Sequence, residues 1–232
     1  MTEEIDAVLF DAGGTLIDLM PPRAEVFAQA LHAIGTKASS SDVAAAMARA
    51  DRIHDEEYAR LDGKDEARFW KMYDEEVAKA VGYRGDFDLL EKQVSTRFDE
   101  IVPKAENWVA YPDTKPTLER LRARGFTVGL VSNATDLARR VMDRLDLSQY
   151  FEFMVLSEEV GVRKPAPGIF KIALDAAGTP PNRTLFVGDR YAADIVGATR
   201  AGMHAVLVDR EGIYKNPPCI TFQDLSFFER YF

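Results

Sequence analysis

The strongest chemical signal in the chain is an acid that ends an apolar run and is followed at once by two glycines and a threonine. The run Asp6-Ala7-Val8-Leu9-Phe10 leads into Asp11 and continues as Ala12-Gly13-Gly14-Thr15-Leu16. A carboxylate just past a buried strand sits at the carboxyl edge of an α/β sheet, where the ligands of open sheets collect. Glycines at that edge admit backbone conformations closed to other residues and let a ligand approach the main chain. Asp11 is therefore a candidate nucleophile or metal ligand. The same string also suits a plainer arrangement, in which Asp11 caps a helix and the glycines form a turn.

Three further groups of polar residues stand at the ends of expected strands: Ser132-Asn133, Arg163-Lys164-Pro165, and Gly188-Asp189 followed by Asp194. Phosphoryl transfer needs a nucleophile, a metal that neutralises phosphate oxygens, and donors that orient the transferred group. All three parts can be assigned among these residues. Each also has a bland reading. Ser132-Asn133 can cap a helix before Leu137, Lys164 can be a solvated amine, and Asp189 and Asp194 can cap a helix near Ala192.

Apolar runs at Ala7–Phe10, Val128–Val131, Phe153–Leu156, Thr184–Val187 and Ala205–Val208 have the length and flanks of buried strands. Helical patterns at Thr114–Arg124, Leu137–Leu145, Ile169–Ala177 and Ala192–Ala201 alternate with the later runs, which predicts a doubly wound parallel sheet. Gly125, Gly178 and Gly202 mark helix ends. Residues 19–108 lack a convincing strand and carry amphipathic patterns at Arg23–Ile34, Ser41–Arg60, Glu66–Val81 and Asp86–Val102, with Ser41 a candidate helix cap. This block reads as a helical insertion, bordered by Pro21-Pro22 and Pro112, that could close over a site on the parent sheet. A rigid part of one core is the alternative.

The four polar strings resemble the four motifs of the haloacid dehalogenase (HAD) superfamily, and the insertion resembles its helical, C1-type cap. The stretch Val187–Met203, with Gly188, Asp189, Asp194 and Gly197, follows the fourth motif almost throughout, and Lys164-Pro165 supplies the third. The resemblance implies a Rossmann-like core of residues 1–18 and 109–232 and a cap of residues 19–108. It also implies a Mg²⁺-dependent enzyme in which Asp11 takes a phosphoryl group from a small organic phosphate as an aspartyl-phosphate. Asp11, the Gly13 carbonyl, Asp189 and Asp194 would hold the metal. Ser132, Asn133 and Lys164 would bind the phosphate, and Thr15 would steady the loop.

One position departs from that pattern. Most phosphatases that the chain resembles carry a second aspartate two residues after the nucleophile, as general acid and then base, and here that residue is Gly13. Its backbone can still serve a metal, but it cannot transfer a proton. Asp51, Asp55, Glu56 and Glu57 are acids of the insertion that could substitute. The departure keeps other readings open: a phosphonate hydrolase with a Schiff-base lysine such as Lys37 or Lys64, a haloacid dehalogenase, an enzyme that passes its phosphoryl group to another acceptor, or a binding protein with decayed catalysis. No arginine falls between Arg23 and Arg49, where a dehalogenase would need one, and Asp189 keeps the metal-binding form of its motif.

The chain of 232 residues carries a formal net charge of −9 and no basic tract, which argues against nucleic acid or an anionic membrane as the main partner. The single cysteine, Cys219, permits no intrachain disulfide, and no apolar run reaches the length of a membrane helix. The expectation is a soluble cytoplasmic protein, as monomer or homodimer. His32, His54 and His204 are scattered, Phe69, Trp70 and Tyr73 share a helix face suited to core packing, and Lys64, Arg68 and Lys71 suit a solvated face. The apolar Phe227–Phe232 segment is expected to pack on the body or on a second subunit.

Overall fold

The computed structural model describes residues 5–61 and 65–231. The long apolar runs become a six-stranded sheet of β1 (Ala7–Phe10), β4 (Thr127–Ser132), β5 (Phe153–Leu156), β6 (Thr184–Gly188), β7 (His204–Val208) and β8 (Ile220–Phe222). Its order is β5-β4-β1-β6-β7-β8 and every pair is parallel. Strands buried on both faces need continuous apolar sequence, which is what Ala7–Phe10 supplies. Two three-residue strands, β2 (Ile17–Leu19) and β3 (Trp108–Ala110), pair in a second sheet. These two and β8 are too short to show a period in the sequence.

Helices α1 (Arg23–Ala33), α2 (Ser40–Ala59), α3 (Glu66–Ala80) and α4 (Phe87–Ile101) precede β3. The remaining helices are α5 (Thr114–Ala123), α6 (Leu137–Arg144), α7 (Ser157–Val160), α8 (Pro167–Ala177), α9 (Gly197–Arg200) and α10 (Phe228–Tyr231). Successive residues of β1 point to opposite faces of the sheet. Leu9 packs with Phe186 of β6 against Ile169 and Phe170 of α8 and Ala198 of α9. Phe10, one position on, meets Phe228 of α10 at a ring separation of 5.8 Å. Each fully buried side chain of this size contributes roughly 1.5–3 kcal/mol. The carboxyl-terminal aromatics pack on the body: Phe227 and Phe228 are buried and Phe222 stacks on Phe227 at 4.3 Å, while Phe232 lies outside the described residues.

Two expected details differ. Ser39, not Ser41, caps α2, because its Oγ accepts the Asp42 N–H and the helix begins one residue earlier. The expected helix Ala192–Ala201 opens as a wide, π-type turn over Tyr191–Val196 and becomes α-helical only at Gly197. Such turns recur at functional sites.

The chain divides into two compact units, one of Met1–Asp18 and Trp108–Phe232, the other of Leu19–Asn107. The second holds α1 to α4 around its own core, which includes Phe27, Leu31, Val43, Met47, Phe69, Tyr73 and Leu90. Phe69, Trp70 and Tyr73 serve there as packing groups, with Tyr58 edge-on to Trp70. The histidines of this unit are bound locally: His32 Nε2 meets the Ala38 carbonyl, and His54 lies between Glu57 and Glu76 at 3.1 and 2.7 Å. Lys71 pairs with Asp88 and Glu91, and Lys64 lies outside the described residues. Among the described residues no helix is long and apolar enough to cross a membrane.

Burial pushes the partly buried Asp74 of α3 up to about 7, with Glu91 adding to the shift and the Arg23 cation opposing it. A carboxyl raised above its unfolded value stabilises the fold fully only below that unfolded value, and the contribution is lost as pH rises through about 7. Asp74→Asn should therefore be close to neutral near pH 4 and stabilising at pH 8. Because the carboxyl is only partly buried, the gain should be about 1–2 kcal/mol, less than full linkage implies. Thermal unfolding of both proteins across that pH range checks it, and a gain that does not grow with pH would contradict the assignment.

Candidate active site

Sheet register brings the strand ends level. Phe10 stands beside Leu130 of β4 and Val187 of β6, so Asp11, Ser132 and Gly188 emerge at one edge. The Asp11 N–H donates to the Val187 carbonyl at 2.9 Å, which continues the ladder and holds the backbone under the carboxylate. Strand order runs outward from β1 in both directions, to β4 and β5 on one side and to β6, β7 and β8 on the other. The carboxyl end of the strand where such a sheet reverses is where open α/β sheets place ligands.

Asp11 Oδ1 accepts hydrogen bonds from Ser132 Oγ at 2.9 Å and from Lys164 Nζ at 2.6 Å. The same ammonium lies 2.7 Å from Asp194 Oδ1, and the Lys164 and Asp194 side chains are 2% and 1% exposed. Asn133 clamps the lysine's backbone: its Nδ2 donates to the Lys164 carbonyl at 2.9 Å and its Oδ1 accepts the Lys164 N–H at 2.7 Å. Asn133 thus reaches the centre through Lys164, its amide already engaged. Asp194 Oδ2 accepts the Arg190 N–H at 3.0 Å across the wide turn. The buried Thr15 hydroxyl donates to Asp189 Oδ1 over a long 3.4 Å, and Arg190 Nε stands 4.0 Å from Asp189 Oδ2.

Charge in this centre is unbalanced, with three carboxylates facing the Lys164 ammonium and, beside Asp189, the Arg190 guanidinium. Burial and the neighbouring Asp11 charge hold Asp189 well above the usual carboxylate range, while Arg190 opposes the shift. Burial likewise pushes Asp194 up to about 6 against the pull of Lys164. For Lys164, burial favours the neutral amine, but Asp11 and Asp194 outweigh it and hold the ammonium above its ordinary range. Oxygens of Asp11, Asp189 and Asp194 lie within 4.8 Å of one another. An all-oxygen set with surplus negative charge fits a hard divalent cation such as Mg²⁺.

Two glycines make room for these acids. Gly14 has a left-handed φ of +77°, and a Cβ there would stand 2.3 Å from Asp189 Oδ2. At Gly188 a Cβ would stand 2.4 Å from Asp194 Oδ2. Gly13 differs, since a Cβ there meets only Trp108 Cζ3 at an ordinary 3.8 Å.

A second cluster, which the sequence reading passed over, adjoins the loop. Arg210, two residues beyond β7, donates from Nη2 to the Thr15 carbonyl at 2.7 Å and binds the Asp113 carboxylate with both terminal nitrogens at 3.1 and 3.0 Å. Its guanidinium lies over the Tyr111 ring at 3.7 Å. The available signal was position, because Arg210 follows an apolar run much as Asp11 does. Of the acids proposed to replace a missing proton donor, Asp51 accepts from Tyr73 at 3.1 Å, Glu56 pairs with Arg60, Glu57 meets His54, and Asp55 is buried.

Fold and site together define a Rossmann-like α/β protein with a buried acidic centre at its topological switch point. The chain belongs to the haloacid dehalogenase-like hydrolase family, whose model matches residues 5–202, and it is a hydrolase of that family. It is similar to a phosphoglycolate phosphatase of Aquifex aeolicus, 31% identical over 212 residues that cover 86% of this chain and 83% of the relative. It is 39% identical to a glyceraldehyde 3-phosphate phosphatase of Methanothermobacter thermautotrophicus over 102 residues, 44% of this chain. In that match it spans about half the length of the curated relative, 45%. A HAD phosphatase of Thermococcus onnurineus shares the fold at a TM-score of 0.62 and 24% identity, over 97% of each chain.

The glycines give a contrast to measure. Gly14→Ala should destabilise by about 1–2 kcal/mol from its left-handed backbone alone, with displacement of Asp189 in addition. Gly13→Ala should stay within about 0.5 kcal/mol of the native protein. Equal melting temperatures for the two variants would show that Asp189 does not depend on the space at Gly14.

Proposed function

We propose that the protein is a Mg²⁺-dependent phosphatase of small organic phosphates, working through an aspartyl-phosphate on Asp11. The observation that carries this reading is the Lys164 ammonium shared by Asp11 and Asp194 within the three-carboxylate cluster. The phosphatase names of the two curated relatives support it.

Ser132 and Lys164 orient the Asp11 carboxylate and limit its rotation, so that one oxygen meets the phosphorus in line with the leaving group. A bond forms between that oxygen and phosphorus. The phosphorus–oxygen bond to the leaving group breaks, and its electron pair departs with that oxygen. Water then attacks phosphorus, the bond from phosphorus to the Asp11 oxygen breaks with its electron pair returning to the carboxylate, and the water's protons leave on inorganic phosphate or pass to solvent. Lys164 also offsets the negative charge that gathers beside Asp11. Asp11, Asp189, Asp194 and the Gly13 carbonyl would hold Mg²⁺, which when bound neutralises charge on the phosphoryl oxygens. Thr15 steadies Asp189, and Asn133 keeps Lys164 in place.

Gly13 shapes the choice of substrate. General acid–base help contributes about 10² to 10⁴-fold in rate, and the loop offers none at this position. Acyl and aryl phosphates, whose leaving groups need little protonation, should be turned over better than alkyl phosphates. The helical unit Leu19–Asn107 is read as the cap that selects among them, in a cytoplasmic enzyme.

Hydrolysis of acetyl phosphate and para-nitrophenyl phosphate should require both Mg²⁺ and Asp11, and Asp11→Asn should lower it at least about 10³-fold. A Cβ at Gly13 meets only Trp108 at an ordinary 3.8 Å, and Gly13→Asp should raise alkyl phosphate turnover by about 10²-fold. Rates measured with and without Mg²⁺ for the three proteins decide the matter. Absence of turnover in every condition would favour the phosphonate, dehalogenase or binding-only readings.

A further inference from the structure

We propose that Arg210 is a positioning residue for the nucleophile loop, acting on the metal-binding carboxylate Asp189 through Thr15; the proposal rests on the phosphoryl-transfer reading above. Arg210 lies outside the strings that the sequence singles out, yet its side chain is only 13% exposed. Its guanidinium is held from several directions. Asp113 takes both terminal nitrogens, the Tyr111 ring covers one face, and Asp113 is itself anchored where its Oδ2 accepts the Leu225 N–H at 2.7 Å. A fork fixed in this way leaves little freedom to the remaining bond, Nη2 to the Thr15 carbonyl at 2.7 Å.

The Thr15 carbonyl and hydroxyl belong to one residue. Holding the carbonyl sets the orientation of that residue, and its hydroxyl is the group that reaches Asp189 Oδ1. The next carbonyl, of Leu16, is held independently by the Tyr111 N–H at 3.0 Å and the Thr114 hydroxyl at 2.6 Å. The loop is thus pinned at two consecutive carbonyls, and only the first pin involves a cation. Because Asp113 already neutralises Arg210, the arginine acts by geometry more than by adding positive charge to the acidic centre. Lysine, a compact point charge, lacks the planar fork that meets both Asp113 oxygens from separate nitrogens while a further N–H reaches Thr15.

The test uses the full-length native protein, Arg210→Lys, Thr15→Val and the double variant. Each is measured for kcat and KM with acetyl phosphate, for melting temperature, and for Mg²⁺ affinity by calorimetry on the metal-free protein. Arg210→Lys should lower kcat about 10 to 100-fold with KM within about threefold, the signature of misplaced chemistry without lost binding. Mg²⁺ should bind several-fold more weakly. Because both residues act on one carboxylate, the double variant should fall no more than about threefold below the worse single variant. Unchanged kcat, losses that multiply, or a loss that merely follows a fall in melting temperature would each overturn the proposal. Should Arg210→Lys fail to fold, Asp113→Asn, which frees the fork while keeping its shape, takes its place with the same outcomes. If the native protein binds Mg²⁺ without turnover, the phosphatase reading fails and calorimetry alone decides, with equal affinities overturning the role of Arg210. Absence of Mg²⁺ binding to the native protein overturns both.

Discussion

A buried ammonium shared by two buried carboxylates is the constraint around which the Rossmann-like unit is arranged. Taking ions out of water costs several kcal/mol each, and their attraction offsets that cost only where geometry and additional hydrogen bonds are good. Lys164 between Asp11 and Asp194 meets the condition because three elements converge on it. β1 delivers Asp11 on a backbone tied to β6, Asn133 grips the lysine's own peptide, and the wide turn after Arg190 aims Asp194 inward. Such a centre is weak evidence for stability. It is strong evidence for a site, since surplus negative charge is retained there at a cost to the fold.

The loop after Asp11 shows the same economy of space. Gly14 and Gly188 bring backbone against the carboxylates of Asp189 and Asp194, leaving no room for a side chain. Gly13, next to Gly14 in sequence, is under no such restraint, since a Cβ there meets only Trp108 at an ordinary distance. The clustering of Asp11, Asp189 and Asp194 therefore does not depend on which side chain stands at position 13.

The helical unit has a core of its own, and its polar residues are largely occupied within it. His54 bridges Glu57 and Glu76, Asp51 receives the Tyr73 hydroxyl, and Lys71 pairs with Asp88 and Glu91. Its acids thus have local structural duties, whatever they add to catalysis.

Parallel strands buried on both faces read directly as apolar runs, so β1 and β5 could be delimited to the residue and the parallel α/β class followed from their alternation with helices. The long helices were legible for the same reason, because an amphipathic period repeats over many residues. Where the period is broken or short the sequence was mute. The three residues each of β2, β3 and β8 show no pattern, the choice between Ser39 and Ser41 turns on one hydrogen bond, and the π-type turn at Tyr191–Val196 has the composition of an ordinary helix. By itself the sequence determined the fold class and the chemical types standing at the strand ends, because both depend on local periodicity and residue identity. Only tertiary structure decided that Lys164 reaches Asp11 and Asp194 together, that Asn133 holds Lys164, and that Arg210 meets Asp113 and Thr15 across the chain. These contacts join residues up to 195 positions apart, and their geometry is set by sheet register and loop packing that no local pattern records.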